Sequence, residues 1–286
     1  MPASNTSFET DNLRVKIFAS GYCTAFAKIV NIESDKLIRK FYATWCLLRH
    51  PEYGIILFDT GYSERFYAAT KNFPAKIYSL VTPVYIDDKD SAKSLLEKEG
   101  IPANKVNYVI ISHFHADHIS GLNDFPNARF ICSRDAHEQL NSLHGFRAVK
   151  KGILKNLLPE NFNSRILFVE EMCSSYIDPA SGLTFFRLFN LDSLQLVCLP
   201  GHARGMLGLL INSKPKKFLF ATDAAWDTTA FEKKVLPKKI VKFFFDSWPD
   251  YKETYERIFR FKENNPGIDL IFTHCPLTLN YISNVI

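Results

Sequence analysis

The sequence lacks the cysteine patterns and long apolar runs that mark several classes of protein. Its six cysteines are spread out with no C-x-x-C pair, so neither a disulfide framework nor a thiolate zinc site is indicated. No apolar run approaches the roughly 20 residues that a membrane helix needs, and the polar start lacks the pattern of a secretory signal. We therefore expect a soluble, cytoplasmic protein with no membrane partner.

Concentrated charge of one sign is also missing. The net charge is +5 over 286 residues, and the lysines occur in short groups. Such a pattern is typical of a solvated surface that attracts anionic small molecules, and it argues against a nucleic-acid partner. No G-x-S-x-G elbow offers a serine nucleophile. No repeat, low-complexity tract or linker divides the chain, so we expect one domain over 1–286, with 1–12 flexible.

Hydrophobic patterning predicts an α/β protein with a sizeable core, since 47% of the residues are hydrophobic and 23% charged. The first strands are expected to form an antiparallel meander at 13–19, 26–32, 42–48 and 55–58. Later strands are expected at 106–111, 129–132, 166–169, 183–188, 196–199, 218–221 and 270–273, and helices at 90–99, 135–143, 147–158 and 249–261. The aromatic stretch 62–87 shows no clean period and is either packing filler or a loop beside a substrate pocket.

The chemistry concentrates directly after the strand predicted at 106–111, in the sequence Ser112-His113-Phe114-His115-Ala116-Asp117-His118. Three imidazoles and one carboxylate there offer nitrogen and oxygen donors that suit Zn²⁺, Mn²⁺, Fe²⁺ or Co²⁺. With 8 histidines in the chain, a chance H-x-H-x-D-H has a probability of roughly 3 in 10,000. The motif therefore predicts a metal site rather than an accidental polar cluster.

Three later predicted strands end in residues of the same kind, which are His202, Asp223 and His274. Loops at strand ends commonly carry reactive groups, because the strand fixes their direction. Taken singly, a histidine at a strand end is more often a capping or hydrogen-bonded residue than a ligand. Together with the histidine motif, however, the three favour a shared site.

Asp59 in Asp59-Thr60-Gly61 also follows a strand. For this carboxylate we predict a supporting role near the site rather than ligation, because Asx residues commonly bond nearby backbone in turns. The remaining histidines, His50, His137 and His144, keep the ordinary hydrogen-bonding interpretation.

In this combination, from about residue 13 to about residue 276, the sequence resembles the metallo-β-lactamase superfamily. The resemblance implies an α/β fold, a four-layer αββα sandwich, with a dinuclear metal site on one edge. It implies two divalent ions, zinc in the first place, with Fe, Mn or Co as alternatives. By that similarity one ion is held by His113, His115 and His202, the other by Asp117, His118 and His274, and Asp223 bridges them.

Two such ions lower the pKa of a shared water toward neutrality, supply a bridging hydroxide as nucleophile and neutralise the developing oxyanion. The resemblance also implies that Asp117 passes a proton to the leaving group. Asp223 argues against a true β-lactamase, because such sites typically lack a bridging aspartate there.

Within the superfamily the sequence is most similar to the N-acyl homoserine lactonase branch, through Ser20-Gly21-Tyr22-Cys23, Phe58-Asp59-Thr60-Gly61 and the lack of a separate C-terminal helical domain. Hydrolysis of a small-molecule lactone or related carboxylic ester is the expected activity. Many of those lactonases carry a tyrosine where this chain has Trp226, whose indole donates through N–H but cannot act as a phenol. The candidate substrate contacts are Trp226, Tyr62, Tyr67 and Tyr85.

Three alternatives stay open. A thioesterase similar to glyoxalase II shares the ligand set, although that family binds glutathione partly through a helical C-terminal region and only about a dozen residues follow His274 here. Phosphodiester hydrolysis of the ribonuclease Z kind is less favoured, since no long Gly/Lys-rich arm is present. A non-enzymatic metal-binding regulator is the third alternative, because fold does not settle function. The sequence leaves the native metal, the acyl chain and the oligomeric state open, a homodimer included.

Overall fold

The computed structural model describes residues 13–30, 34, 37–213 and 217–282. The predicted flexibility of residues 1–12 therefore concerns a segment outside the described residues. The strands are β1 (Arg14–Phe26), β2 (Ile38–His50), β3 (Gly54–Phe58), β4 (Val84–Tyr85), β5 (Val106–Ile110), β6 (Arg129–Cys132), β7 (Ile166–Phe168), β8 (Ser174–Ile177), β9 (Thr184–Arg187), β10 (Leu194–Cys198), β11 (Leu207–Asn212), β12 (Lys217–Phe220) and β13 (Ile268–Ile271). The α-helices are α1 (Ala27–Val30), α2 (Arg65–Ala69), α3 (Lys76–Val81), α4 (Ala92–Lys98), α5 (Ala116–Ile119), α6 (Arg134–Ser142), α7 (Gly145–Lys150), α8 (Val169–Met172), α9 (Thr228–Glu232) and α10 (Trp248–Asn264).

The strands form two mixed sheets. The first has the order β4-β1-β2-β3-β5-β6-β7, antiparallel from β4 to β3 and parallel from β3 to β7. The second has the order β13-β12-β11-β10-β9-β8, in which only β12 and β13 pair in parallel. In this second sheet β10, β12 and β13 all run in the same direction, so their carboxyl ends reach the same edge.

Alternating side chains give each sheet two apolar faces. Leu48 and Ile110 of the first sheet and Leu196 of the second belong to one buried cluster between the sheets. Their neighbours Leu47 and Val109 instead face a second cluster on the outer side of the first sheet. Since side chains alternate with a period of two along a strand, this pattern requires cover on both faces of the sheet.

Helices supply that cover. On the outer side of the second sheet, α10 buries residues three or four positions apart, among them Tyr251, Tyr255 and Ile258. This spacing is that of one helical face. Ser247 begins the helix by accepting a hydrogen bond from the backbone N–H of Asp250 at 3.3 Å. Helices outside both sheets complete the four-layer αββα sandwich, as the sequence predicted.

Some predicted elements are wrong. The segment Ala27–Val30, predicted as part of a strand at 26–32, is a one-turn helix that buries Ala27 and Val30 on one side. The chain has already turned there, because the N–H of Ala27 bonds to the carbonyl of Leu37 at 3.1 Å. Residues 31 and 32 lie outside the described residues.

The aromatic stretch 62–87 forms α2, α3 and β4 rather than an irregular loop, since elements this short show no measurable period. The helix predicted at 147–158 ends at Lys150, because Gly152 follows with a φ of +70°. Besides β4, two strands were not predicted. β11 is buried at nearly every position, and β8 is polar and lies at a sheet edge, so neither shows the expected alternation.

Within the described ranges, every helix is too short or too polar to cross a lipid bilayer.

Candidate metal centre

The loop that follows β5 carries the histidine motif to the edge between the two sheets. The chain leaves the strand after Ile110, and His115 precedes the short helix α5, which holds Asp117 and His118. His113 and His118 are fully buried. The motif residues therefore point into the protein and are not part of a solvated surface loop.

Loops of the second sheet bring three more donors to the same place. His202 follows β10, Asp223 follows β12, and His274 follows β13. All three are buried. Potential ligand atoms come within reach of one another in three overlapping groups, which are His113–His115–His202, His113–His118–Asp223 and Asp117–His118–His274. The structure thus brings together all seven predicted metal ligands.

On one side of the centre the donors come from three histidines. The Nε2 of His202 lies 3.0 Å from the Nδ1 of His115 and 3.3 Å from the Oδ2 of Asp223. The His113 ring centroid is 4.4 Å from that of His115 and 5.1 Å from that of His202. Asp223 lies between these three histidines and the donors on the other side of the centre.

On the other side the donors are mixed. The Nε2 of His274 lies 3.1 Å from an oxygen of Asp117 and 3.1 Å from the Oδ2 of Asp223. The Nε2 of His118 lies 3.6 Å from Asp117 and 3.7 Å from the Oδ1 of Asp223. Asp223 therefore presents one oxygen to His202 and His274 and the other to His118, so its carboxylate lies between the two sides of the centre.

These residues fit a metal ion. The Nε2 atoms of His113 and His118 and the Oδ1 of Asp223 are buried without a hydrogen-bond partner in the described structure. Buried polar atoms left in that way are costly, so a ligand is expected to satisfy them. Metal–nitrogen bonds of about 2.0–2.1 Å place tetrahedral donors about 3.3 Å apart, which is close to the separations of 3.0–3.7 Å found here.

Burial keeps the first group of histidines neutral. It lowers the pKa of His115 to about 4 and that of His202 to about 3, and it holds the pKa of His113 well below its usual value. A neutral imidazole is the form that binds a metal ion. At neutral pH all three rings therefore have a free lone pair for a ligand bond.

The second group contains the carboxylates. Burial alone would raise the pKa of Asp117, but His118 and His274 outweigh it and lower that pKa to about 2. The pKa of Asp223 is lowered in the same way. Burial would raise it, but His274 and His202 hold it well below the usual value. Burial would likewise lower the pKa of His118, whereas Asp117 and Asp59 raise it to about 9. The excess negative charge of the carboxylates is what a divalent cation neutralises.

A second layer of hydrogen bonds orients the histidines. Asp59 accepts from the backbone N–H of Ser112 at 2.8 Å, and its other oxygen lies 2.7 Å from the Nδ1 of His118. The hydroxyl of Ser112 lies 3.0 Å from the Nδ1 of His113. A carboxylate behind a ligating histidine fixes the tautomer that turns Nε2 toward the metal. As predicted, Asp59 supports the site and lies outside the three ligand groups.

His274 is oriented from the opposite sheet. Its Nδ1 lies 2.9 Å from the carbonyl oxygen of Tyr42 in β2. A carbonyl only accepts hydrogen bonds, so Nδ1 carries a proton and Nε2 is directed at Asp117 and Asp223, where a metal ion would bind. Next to it, the hydroxyl of Thr44 donates to the carbonyl of Thr273 at 2.7 Å. Two bonds between the sheets thus hold the loop that carries the last ligand.

Two glycines let backbone approach the centre closely. Gly201 has a φ of +124°, and a Cβ there would lie 2.2 Å from the backbone nitrogen of Tyr251 in α10. A Cβ on Gly152 would lie 2.7 Å from the Cδ2 of His115. Only glycine combines this backbone conformation with such contacts. Both residues stand next to a ligand that they position.

Trp226 is the predicted substrate contact that touches the centre. Its indole N–H donates to the Oδ2 of Asp223 at 3.2 Å. Its ring lies 5.6 Å from His202 and 5.3 Å from Phe245, whose own ring is 4.9 Å from His202. Trp226 and Phe245 therefore form an aromatic wall over the histidine side of the centre.

The predicted tyrosines make their hydrogen-bond and ring contacts with other residues. Tyr62 is only 1% exposed and packs against Phe66. Tyr67 donates to the carbonyl of Val84 at 3.3 Å, and Tyr85 stacks on Tyr22 with ring centroids 5.0 Å apart. None of the three belongs to the ligand groups, and their contact with a substrate stays a prediction.

Sequence reasoning missed three contributors. The Tyr42 carbonyl is a backbone group, and no residue pattern points to it. Phe245 is one of three consecutive phenylalanines, and the sequence does not indicate which of them faces the site. Ser112 stands inside the motif, yet only the structure shows that its hydroxyl bonds to the neighbouring histidine.

Comparison with known proteins gives matches that agree with this geometry. A family model described as the metallo-beta-lactamase superfamily matches residues 39–262, more than half of the chain. The N-acyl homoserine lactonase of Bacillus cereus is 26% identical over 192 residues, which is 67% of this chain and 67% of that protein.

Solved structures share the fold. An N-acyl homoserine lactone hydrolase with the product N-hexanoyl-L-homoserine at its catalytic metal centre superposes with a TM-score of 0.72 at 20% identity, over 96% of this chain and 98% of that one. AidC, a dizinc quorum-quenching lactonase, superposes with a TM-score of 0.62 at 16% identity, over 94% of this chain and 90% of that one. The predicted fold class and the similarity to the lactonase branch are confirmed.

Proposed function

Since the chain belongs to the metallo-beta-lactamase superfamily, we propose that it is a dinuclear metal-dependent hydrolase that opens a lactone or a related carboxylic ester. One observation carries the proposal: seven donors, six of them buried, lie in three overlapping groups, and Asp223 lies within 4 Å of both His118 and His202. Relatives that are named N-acyl homoserine lactonases support the choice of a lactone. Zinc is the proposed metal, because imidazole and carboxylate ligands suit it well.

The seven donors would divide between two ions. One ion would be held by His113, His115 and His202, the other by Asp117, His118 and His274, with Asp223 between them. When bound, two divalent ions supply a hydroxide nucleophile at neutral pH and a Lewis acid for the substrate carbonyl. The buried, preorganised ligands add no reorganisation cost when the charge moves.

Asp117 is the residue that handles the proton in this proposal. His118 and His274 keep its pKa at about 2 despite burial, so its carboxylate is ionised at neutral pH. Its Oδ2 lies 3.1 Å from the Nε2 of His274, beside Asp223. After accepting the proton of the attacking group, Asp117 would pass it to the oxygen that leaves when the ring opens.

The aromatic wall has a separate task. Trp226 donates its N–H to one oxygen of Asp223, and this hydrogen bond fixes the orientation of the carboxylate between the two ion positions. Phe245 packs edge-on against His202 and excludes water from that side. A substrate carbonyl that enters beside this wall meets a site with little competing solvent, where electrostatic stabilisation is strongest.

The test is His115→Ala, assayed on lactones, thioesters and phosphodiesters and measured for metal content. His115 contributes a ligand atom 3.0 Å from His202, so its loss should lower the content from about two ions to about one. We expect lactone kcat/KM to fall by more than 100-fold, because changing a residue that only hydrogen-bonds to a metal ligand already costs about 10- to 100-fold.

The matched control is His144→Ala, which removes an exposed histidine outside the ligand groups. It should keep the metal and the rate. Full metal and full activity in His115→Ala would show that the ligand assignment is wrong. If the native protein preferred thioesters, the site would stand and the substrate class would change to that of the glyoxalase II alternative. Metal without turnover on any of the three classes would favour the regulatory alternative.

A further inference from the structure

Large apolar side chains are exposed mainly in four segments. In the described part of the chain, fourteen such residues are exposed, and ten of them lie in these segments. We call the segments together the rim; it comprises 24–30 with 37–38, 73–83, 145–152 and 238–245. The ten residues are Phe26, Leu37, Ile38, Phe73, Leu80, Val81, Phe146, Ile240, Phe243 and Phe244. An apolar concentration of this kind marks an interaction surface more often than isolated exposed residues do.

The rim segments touch one another. The N–H of Lys238 donates to the carbonyl of Ile29 at 2.9 Å, which joins the last segment to the first. The N–H of Thr24 in β1 donates to the carbonyl of Pro83 at 3.0 Å, just beyond α3. Helix α3 in turn packs against α7. The segments therefore form a connected surface.

The rim also borders the metal centre. The ammonium group of Lys151 donates to the carbonyl of Phe245 and closes the circle between the third segment and the last. Phe245 is the ring that packs on His202, and Gly152 is the residue that lies against His115. Two of the segments that carry exposed apolar side chains are thus in direct contact with candidate metal ligands.

Positive charge lies among these apolar side chains. Residues 233–245 contain five lysines and no acidic residue. At the 3₁₀ helix Lys239–Phe243, exposed Lys239 and Lys242 precede Phe243 and Phe244, which are 62% and 53% exposed. Lys28 of α1 is exposed beside them. Exposed phenylalanines within a basic segment are the composition that binds an anionic lipid surface.

We propose that the rim docks the protein on the surface of a membrane that contains anionic lipids, with the rim side of the metal centre facing the bilayer. The phenylalanines would enter the headgroup region and the lysines would bind lipid phosphates. A second copy of the chain fits less well, because a symmetric contact would bring lysines against lysines. The sequence predicted no membrane partner from the lack of a long apolar run, but docking on a surface requires no spanning segment.

The experiment is vesicle flotation with the native protein, using phosphatidylcholine vesicles with and without 30% phosphatidylglycerol. Two variants test the two parts of the surface, Phe243→Ser/Phe244→Ser and Lys239→Glu/Lys242→Glu. We expect binding to the anionic vesicles that weakens with salt. Each lysine lost should reduce the partition coefficient about fivefold, so the lysine variant should bind at least about 25-fold more weakly.

The matched controls are Ile177→Ser, an exposed apolar residue on the edge strand β8, and Lys105→Glu/Lys217→Glu, at the amino-terminal ends of β5 and β12. They should bind like the native protein. Absence of flotation, or equal binding by the rim variants, would overturn the proposal. So would self-association in light scattering that depends on Phe243 and Phe244 without vesicle binding. Vesicle binding is measured without substrate, so its result is independent of the proposed hydrolase activity.

Discussion

At the scale of single residues, the carboxylate of Asp59 orients the proposed metal ligand His118 without being a ligand itself. It lies 2.7 Å from the Nδ1 of His118 and also accepts from the N–H of Ser112. In Asp59→Asn the amide can present an N–H toward the imidazole, so the ring loses the acceptor that sets its tautomer.

We expect Asp59→Asn to lower kcat/KM or the affinity for one metal ion by about 10- to 100-fold. Steady-state kinetics and metal titration measure the effect, and the circular dichroism spectrum should stay native. Asp87→Asn, at an exposed turn, is the control. Unchanged kinetics and metal affinity in Asp59→Asn would mean that His118 is oriented by other contacts.

Trp226 supports a second prediction at this scale. Its N–H donates to Asp223, while its ring packs on His202 and Phe245. Trp226→Phe keeps an aromatic ring but removes the donor, and we expect a loss of about 10-fold in kcat/KM. Trp226→Tyr should restore activity only if the phenol of a lactonase-type site reaches the substrate carbonyl. Native rates in Trp226→Phe would show that the indole N–H has no part in the reaction.

Among the elements, the contact between the loop after β10 and the start of α10 depends on one glycine. A Cβ on Gly201 would lie 2.2 Å from the backbone nitrogen of Tyr251, at a φ that other residues rarely adopt. We therefore expect Gly201→Ala to lower the free energy of unfolding by about 3 kcal/mol, or about 6 °C in Tm, with some loss of metal through His202.

The control for this change is Gly100→Ala. That glycine also has a positive φ, but nothing lies within 4 Å of the added Cβ. Strain alone should cost it about 1 kcal/mol. Thermal unfolding of both variants separates the two contributions. Equal losses would mean that the loop moves away from α10 at little cost.

The secondary-structure elements also show which parts of the fold could be predicted from the sequence. The strand and motif at 106–118 could be predicted because an apolar run and a rare cluster of ligands coincide. β11 could not, since it is buried on both faces and gives no alternation. The hairpin tip at Ala27–Val30 was read as a strand, because its composition does not reveal where the chain turns. The ligand set was predicted from side chains, whereas the Tyr42 carbonyl is visible only in the folded chain.

For the whole molecule, the metal centre joins the two sheets. Ligands of the first sheet, such as His118, and ligands of the second, such as His274, would bind the same ion. Without ions, the buried carboxylates of Asp117 and Asp223 face the same nitrogen of His274, each at 3.1 Å, with no cation to neutralise them. A ligand that binds only the folded state, present at 100 times its Kd, stabilises that state by about 2.7 kcal/mol.

Treatment with a chelator should therefore lower Tm by at least about 5 °C. Differential scanning calorimetry measures the change, and the same chelator preloaded with zinc serves as the control. Adding Zn²⁺ back should restore both Tm and activity. An equal Tm with and without chelator would show that the sheets are held together by their apolar core alone.

The hydrogen bonds from the loop of His274 back to Tyr42 and Thr44 span 232 and 229 residues of chain. During synthesis at about 5–20 residues per second, roughly 8–30 s pass between the appearance of His118 and that of His274. Throughout that interval the nascent chain offers only part of the donor set. The second sheet, whose loops carry the remaining donors, is not yet complete. An ion captured then binds through fewer ligands than the finished protein provides. We therefore expect that the concentrations of metal ions near the ribosome, as well as the completed geometry of the site, influence which ion the mature protein binds.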